Sequence, residues 1–245
     1  MFSSRMERYA LNTEASSKRQ NGKARANAKT DATNSSRSQD ERSEEMRSRL
    51  ITASIGVLRE RGFAGFNTEA VVQNAGVSRG ALLHHYRRKR DLILAVHEHV
   101  YQIAVEKSIE SAEAVTDQSM IFDEMLKDAE SFFLGEHFFS VLGIVLSANT
   151  DPDLKTEILE ASQKARLPIE AAWVKVMSEY MPRPLAENLV YMTYNMVRGY
   201  AMRTLWEDDA KKYAEVTTIW KSMMIDALKR ENIEWPVDQA KLQRL

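Results

Sequence analysis

Four consecutive cations, Arg87-Arg88-Lys89-Arg90, follow a segment that carries Arg79 and the adjacent pair His84-His85. These residue types suit nucleic-acid recognition. A guanidinium such as that of Arg79 can bond guanine bidentately through O6 and N7, and a small side chain such as Ala81 can touch a thymine methyl. Clustered cations can neutralise and clamp backbone phosphates. A charge run by itself marks a solvated face; this one follows a capped helix at one turn's distance, and that position gives it a function. A second candidate, His97-Glu98-His99 with His84 and His85 upstream, invites a metal ion. Histidines two residues apart on a helix point to different sides, and the His-Glu-x-x-His spacing is absent, so no metal is expected and an exposed or capping role is. Without cysteine there is no disulfide framework, thiolate zinc site or cysteine nucleophile. No paired carboxylate, glycine-rich phosphate loop or Ser/His/Asp constellation stands out. The expectation is a protein that is not an enzyme and needs no cofactor.

The elements that must position Arg79 lie immediately around it. Met46, Leu50, Ala53 and Val57, with Ile51, Ser54 and Leu58 one turn over, recur at helical spacing, and Gly62 ends that helix. Asn67 is the predicted N-cap of a second, short helix with Val71 and Val72 facing inward, and Ser78 that of a third reaching Tyr86. Between them Ala75 is small enough for a close helix crossing, Gly76 allows a positive φ, and Val77 plugs the cleft. Two short helices around such a turn make a helix-turn-helix. Leu82 and Tyr86 anchor the third helix, leaving Arg79, Gly80, Ala81, His84 and His85 on its free face, with its N-terminus able to point amides at phosphate. Leu92, Ala95, Val96, Val100, Ile103 and Ala104 carry a long fourth helix away from this unit.

The charge distribution agrees with that placement. A net charge of −1 hides 18 Lys+Arg against 9 Asp+Glu in residues 1–90, and 16 against 26 in the remaining 155. Residues 1–40 are Ser-rich and basic with no apolar period, and are expected to be a disordered arm; their composition also resembles an organellar transit peptide. An apolar leader core is missing, so no secretory signal is expected. The longest apolar stretch, Phe138 to Ala148, is too short for a bilayer, which needs about 20 residues. A protein of the cytoplasm, without a membrane partner, is expected.

From Ser119 onward only helical periods occur, with helices expected near 119–135, 137–149, 153–180 (bent at Pro168), 185–206 and 208–231. The fold class is all-α: a helix-turn-helix DNA-binding domain over 41–90, a helical domain over 91–231, and a tail over 232–245.

The stretch from Arg47 to Val96 resembles the DNA-binding domain of TetR-family transcriptional regulators. The likeness rests on Gly62-Phe63, Val71, Ala75-Gly76-Val77-Ser78, Gly80, Leu82, His85, Tyr86, Lys89 and Leu92, without insertion or deletion. The resemblance implies phosphate contacts at Thr68 and Lys89, and recognition-helix positions at Arg79, Ala81, His84 and His85. Ser78, Gly80, Arg87 and Arg88 complete the expected DNA-binding set. This chain departs from the family by carrying Leu83 where a tyrosine is usual, and the Arg87–Arg90 cluster is expected to substitute for the lost hydroxyl.

The resemblance also implies a C-terminal domain that binds a small-molecule effector and forms a homodimer. Candidate pocket residues are Phe133, His137, Leu142, Trp173, Met177, Met192, Asn195 and Met196. Arg166 and Arg198, like His137 and Asn195, could orient a polar head group or pair with a neighbouring carboxylate. Candidate interface residues are Gly199, Tyr200, Ile219, Trp220 and Met223, on two helices apolar on more than one face. The expected function is a repressor released from a palindromic operator by an apolar or amphipathic ligand. An activator on the same scaffold, or an architectural or interaction protein that binds DNA non-specifically, is the alternative.

Overall fold

The computed structural model describes residues 39–236, so the expected arm over 1–38 and the tail end over 237–245 lie outside the described residues. The chain divides into two units, 1–50 and 51–245. In the first, the described residues 39–50 are all helical. The second opens with residues 51–61, also helical; both stretches are labelled α1. Eight further α-helices follow in the described part of that unit: α2 Thr68–Ala75, α3 Arg79–His85, α4 Lys89–Glu113, α5 Ile121–Phe133, α6 Phe138–Ala148, α7 Pro152–Met177, α8 Arg183–Arg203 and α9 Ala210–Arg230. The described residues contain no strand.

The expected stop and cap signals act where they stand. Gly62 has φ +63 and ends α1. Asn67 Oδ1 accepts from the Ala70 amide at 2.8 Å, and Ser78 Oγ from the Ala81 amide at 3.2 Å, each satisfying an orphan donor of a helix's first turn. Asp151 caps α7 in the same way, ahead of Pro152 at its first position. Pro168 lies inside α7, where the expected bend was placed.

The core of the second unit gathers Phe122, Met125, Trp173, Met177, Leu189 and Trp220, among others, from α5, α7, α8 and α9. Within it α4 runs along α7, α5 along α8, and α7 along α8. The start of the expected tail is part of this packing: Ile233 and Trp235 lie against the core, and the Trp235 ring is 4.8 Å from that of Phe122.

Candidate functional sites

The helix-turn-helix is built on α2 and α3. Gly76 adopts the left-handed conformation (φ 62, ψ 40), and its amide and that of Val77 bond back to α2. A side chain there would be strained, so glycine closes the turn at no steric cost. Ala75 and Leu82 are buried and fix α3 to its neighbours. That leaves Ser78, Arg79, Gly80, Leu83 and His84 exposed and Ala81 and His85 half-buried; Thr68, at the start of α2, is half-buried as well. The face that faces solvent is therefore the one expected to read DNA. Leu83 points out to solvent with 44 % of its surface exposed.

The cation run is less free than its sequence suggests. The Arg88 guanidinium lies 2.6 Å from Asp91, whose carboxylate also accepts from the Arg88 amide at the start of α4. The Lys89 ammonium donates to the Phe66 carbonyl at 2.7 Å and lies over the rings of Phe63 and Phe66, 5.3 and 5.4 Å from their centroids. Arg90 reaches across to α7, 2.7 Å from Glu157 and 3.7 Å from Asp153. Arg87 alone of the four makes no ion pair, hydrogen bond or ring contact among the described residues, and it is exposed. Three cations of the run thus hold the base of α4, a positioning role that sequence spacing does not reveal.

A second site opens further along α4. A cavity of about 500 Å³ lies between α4, α5, α6, α7 and α8. Its aromatic wall is Tyr101, Phe132, Phe133 and Phe138; the Phe132, Phe133 and Phe138 rings meet edge to face at 5.2 to 6.1 Å. On its floor the buried Asp128 carboxylate accepts from Ser108 Oγ at 2.9 Å, Trp173 Nε1 at 2.8 Å and the Tyr194 hydroxyl at 2.5 Å. Burial and the adjacent carboxylate push the Tyr194 hydroxyl far above its ordinary value. On the solvent side lie Arg166 and Arg198. Arg166 is held by Glu170 at 2.8 and 3.0 Å. Arg198 lies over the Phe133 ring, 5.0 Å from its centroid, and among the described residues its hydrogen bond is to Asn195 Oδ1, at 3.3 Å.

Of the eight expected pocket residues, Phe133 and Leu142 line this cavity. The other six do not. Trp173 and Met177 are wholly buried in the core. Met196 packs against that core from α8. Asn195 is spent on the Tyr191 carbonyl of its own helix. His137 lies 3.5 Å from Glu136 at the start of α6, and Met192 faces solvent. Helical period separates apolar from polar faces, but it cannot say which apolar face borders a void. Asp128 was the missed residue with a readable signal: it sits one position before Ala129 in the stripe of Ile121, Phe122, Met125, Ala129 and Phe133, a carboxylate on an apolar helix face.

His97 corrects the expected exposed or capping role. It is fully buried on α4, with Nε2 2.9 Å from Ser162 Oγ on α7 and its ring 4.7 Å from that of Tyr101. Burial lowers its pKa to about 4, so the imidazole is neutral at ordinary pH. Burial raises the neighbouring Tyr101 hydroxyl, against the opposing effects of a Ser162 hydrogen bond and the Arg198 charge. No cluster of three or more His, Asp or Glu side chains fit to hold a metal occurs among the described residues.

The last two helices expose an apolar face. Ile219 and Met223 on α9 are 60 % and 53 % exposed, and Tyr191 and Met192 on α8 are exposed too. A Cβ added at Gly199 would meet nothing within 4 Å. Two expected interface residues are engaged within the chain instead. Trp220 is 4 % exposed and donates to Thr193 Oγ1 at 3.2 Å. Tyr200 stacks on Tyr213 at 3.9 Å and donates to Asp208 at 3.0 Å. On a helix apolar on two sides, Trp220 belongs to the inner stripe with Met224 and Leu228, one residue round from Ile219. No single described helix is long and apolar enough to cross a membrane.

Comparison with known proteins points the same way as the turn. The family model for bacterial regulatory proteins of the tetR family matches residues 50–96. The chain is 37% identical over 181 residues to the HTH-type transcriptional regulator CymR of Pseudomonas putida, covering 74% of this chain and 89% of that one. Among solved structures, Salmonella enterica GusR matches with a TM-score of 0.58 at 16% identity, over 76% of this chain and 96% of its own. A TetR transcription regulator from Haloarcula marismortui matches with a TM-score of 0.57 at 17% identity, over 75% and 98%. At those identities the two structures speak for the fold.

Proposed function

Because this chain belongs to the TetR family of transcriptional regulators and is a DNA-binding helix-turn-helix protein, we propose that it acts as a homodimeric repressor which a small molecule releases from a palindromic operator. Residues 41–90 are the DNA-binding domain, and residues 91–231 bind the effector and pair with a second copy. A regulator of this kind works beside the chromosome, in the cytoplasm. Arg79, Ala81, His84 and His85 read base edges, with Gly80 leaving room for the backbone to approach. Thr68, Ser78 and Arg87 meet phosphates and set the register, while Arg88 and Lys89, held by Asp91 and the Phe66 carbonyl, brace the base of α4 behind them.

The observation that carries this reading is the double duty of α4. Its first turn holds Lys89 against Phe66 and Arg90 against Glu157, and its middle turns supply Tyr101 and Ser108 to the cavity wall. A ligand in the cavity acts on the same 25-residue helix that supports the recognition helix. By mass action, a ligand that fits one arrangement of α4 against α7 better than another shifts the population towards it. A small rotation of α4 then changes the distance between the two recognition helices of a dimer, which must lie about one helical turn of DNA apart. The exposed face of α8 and α9, with Ile219, Met223 and Gly199, is where the second copy packs.

Footprinting of the purified full chain on genomic DNA tests the reading. Discrete protected sites with inverted half-sites, lost when the effector is added, are the expected result. Uniform protection without preferred sites would support the non-specific architectural reading instead.

A further inference from the structure

The charges of the cavity are arranged unequally, and that inequality selects a ligand class. We propose that the effector is an anionic amphiphile with an aromatic body, its carboxylate or equivalent anion paired with Arg198 and its ring seated among Phe132, Phe133 and Phe138. This rests on the reading of the cavity as the effector site.

Four charged side chains line the cavity: Asp128, Arg166, Glu170 and Arg198. Three of them are already answered. Asp128 is buried, and its two oxygens accept from three neutral donors, Ser108, Trp173 and Tyr194. A cationic ligand would have to displace one of those donors to reach it, leaving a buried polar group unpaired. Arg166 and Glu170 neutralise each other through two hydrogen bonds. Arg198 has no carboxylate partner among the described residues; its contacts are the face of Phe133 and the Asn195 amide oxygen. An arginine fork offers an anion two parallel donors, and resting on an aromatic face holds the fork in place without spending them.

The position of the two ends fixes the ligand's orientation. Arg198 and Arg166 stand on the solvent side, whereas Phe133 and Phe138 are buried deeper beside Asp128 and Tyr194. An anion at Arg198 therefore stays partly hydrated while the apolar body enters. Burying a charge without a partner would be far more costly. The edge-to-face geometry of the three phenylalanine rings is one that a further flat ring can extend.

Titration calorimetry of the full chain with 2-naphthoate, 2-naphthamide and 2-naphthylmethylamine tests this directly. The three probes share one ring system and differ in head-group charge. Tightest binding by 2-naphthoate, at least tenfold over the amide, is expected. Arg198→Ala is expected to remove that preference while leaving the affinity for the amide within threefold, which shows that the cavity still folds, and Arg198→Lys to restore part of it. Equal binding of naphthoate and amide, or tighter binding of the amine, overturns the anionic class and leaves the cavity as an effector site. Binding of none of the three overturns the proposal and counts against the cavity itself.

Discussion

Ser162 on α7 and His97 on α4 face each other with 2.9 Å between Oγ and Nε2. The Ser162 hydroxyl also donates to the Ile158 carbonyl at 2.8 Å, and the buried His97 Nδ1 has no hydrogen-bond partner among the described residues. The neutral imidazole is thus held between the helix that supports the recognition helix and a residue that lines the cavity. Protonating the ring would place a charge where nothing answers it.

His97 should make stability fall in mild acid. Its folded-state pKa is lowered from 6.5 to about 4 by burial. Between those values the unfolded chain binds a proton that the folded one does not, so the contribution is full above pH 6.5 and lost as pH falls towards 4. The shift corresponds to at most about 3 kcal/mol. Urea unfolding from pH 7 to 4.5 should show a steeper decline for the wild type than for His97→Phe. Parallel declines would show that His97 does not titrate in this window.

The two ends of the cation run should separate in salt titrations. Arg87→Ala should weaken binding to every duplex and reduce the salt slope of log affinity by about one, the signature of a lost phosphate contact. Arg90→Ala should leave that slope unchanged, because its guanidinium is turned to Glu157 and Asp153 on α7. A reduced slope for Arg90→Ala would mean that this pair opens on DNA.

Arg79→Ala should relax sequence preference at one base position in each half-site. A bidentate arginine–guanine contact is worth about 1–3 kcal/mol of discrimination, to be read from affinities for single-base variants of the preferred duplex. If all variants weaken equally, Arg79 contacts phosphate rather than a base.

Ile219 and Trp220, neighbours in sequence, should fail in different ways. Ile219→Glu with Met223→Glu should leave helix content unchanged and shift sedimentation from dimer to monomer. Trp220→Ala should cost about 3–5 kcal/mol, as deletion of a large buried side chain does. An unchanged dimer in the first variant would place the interface elsewhere.

The sequence was most readable where one residue type answers one local geometric need. Asn67 and Ser78 cap helices, and Gly62 and Gly76 take up positive φ, because each requirement is met within four residues. Leu82 against the exposed Arg79 and His84 follows from helical period alone. What was hidden depends on residues far apart in the chain. Trp220 could have faced in or out, and only its bond to Thr193 on α8 decides it. Arg88, Lys89 and Arg90 read as a clamp until Asp91, the Phe66 carbonyl and Glu157 are seen to hold them. The cavity was the least legible feature, since a void is bounded by what five helices fail to fill. Only Phe133 and Leu142 of the eight expected residues border it.

On the proposed function, α3 reads sequence and not charge alone. Equilibrium competition at physiological salt tests it most directly, with the full chain bound to its best footprinted duplex and challenged by random DNA of equal length. A preference of about a thousandfold or more for the footprinted duplex is predicted, as specific regulators show. Equal competition by random DNA would mean that α3 binds DNA through charge alone.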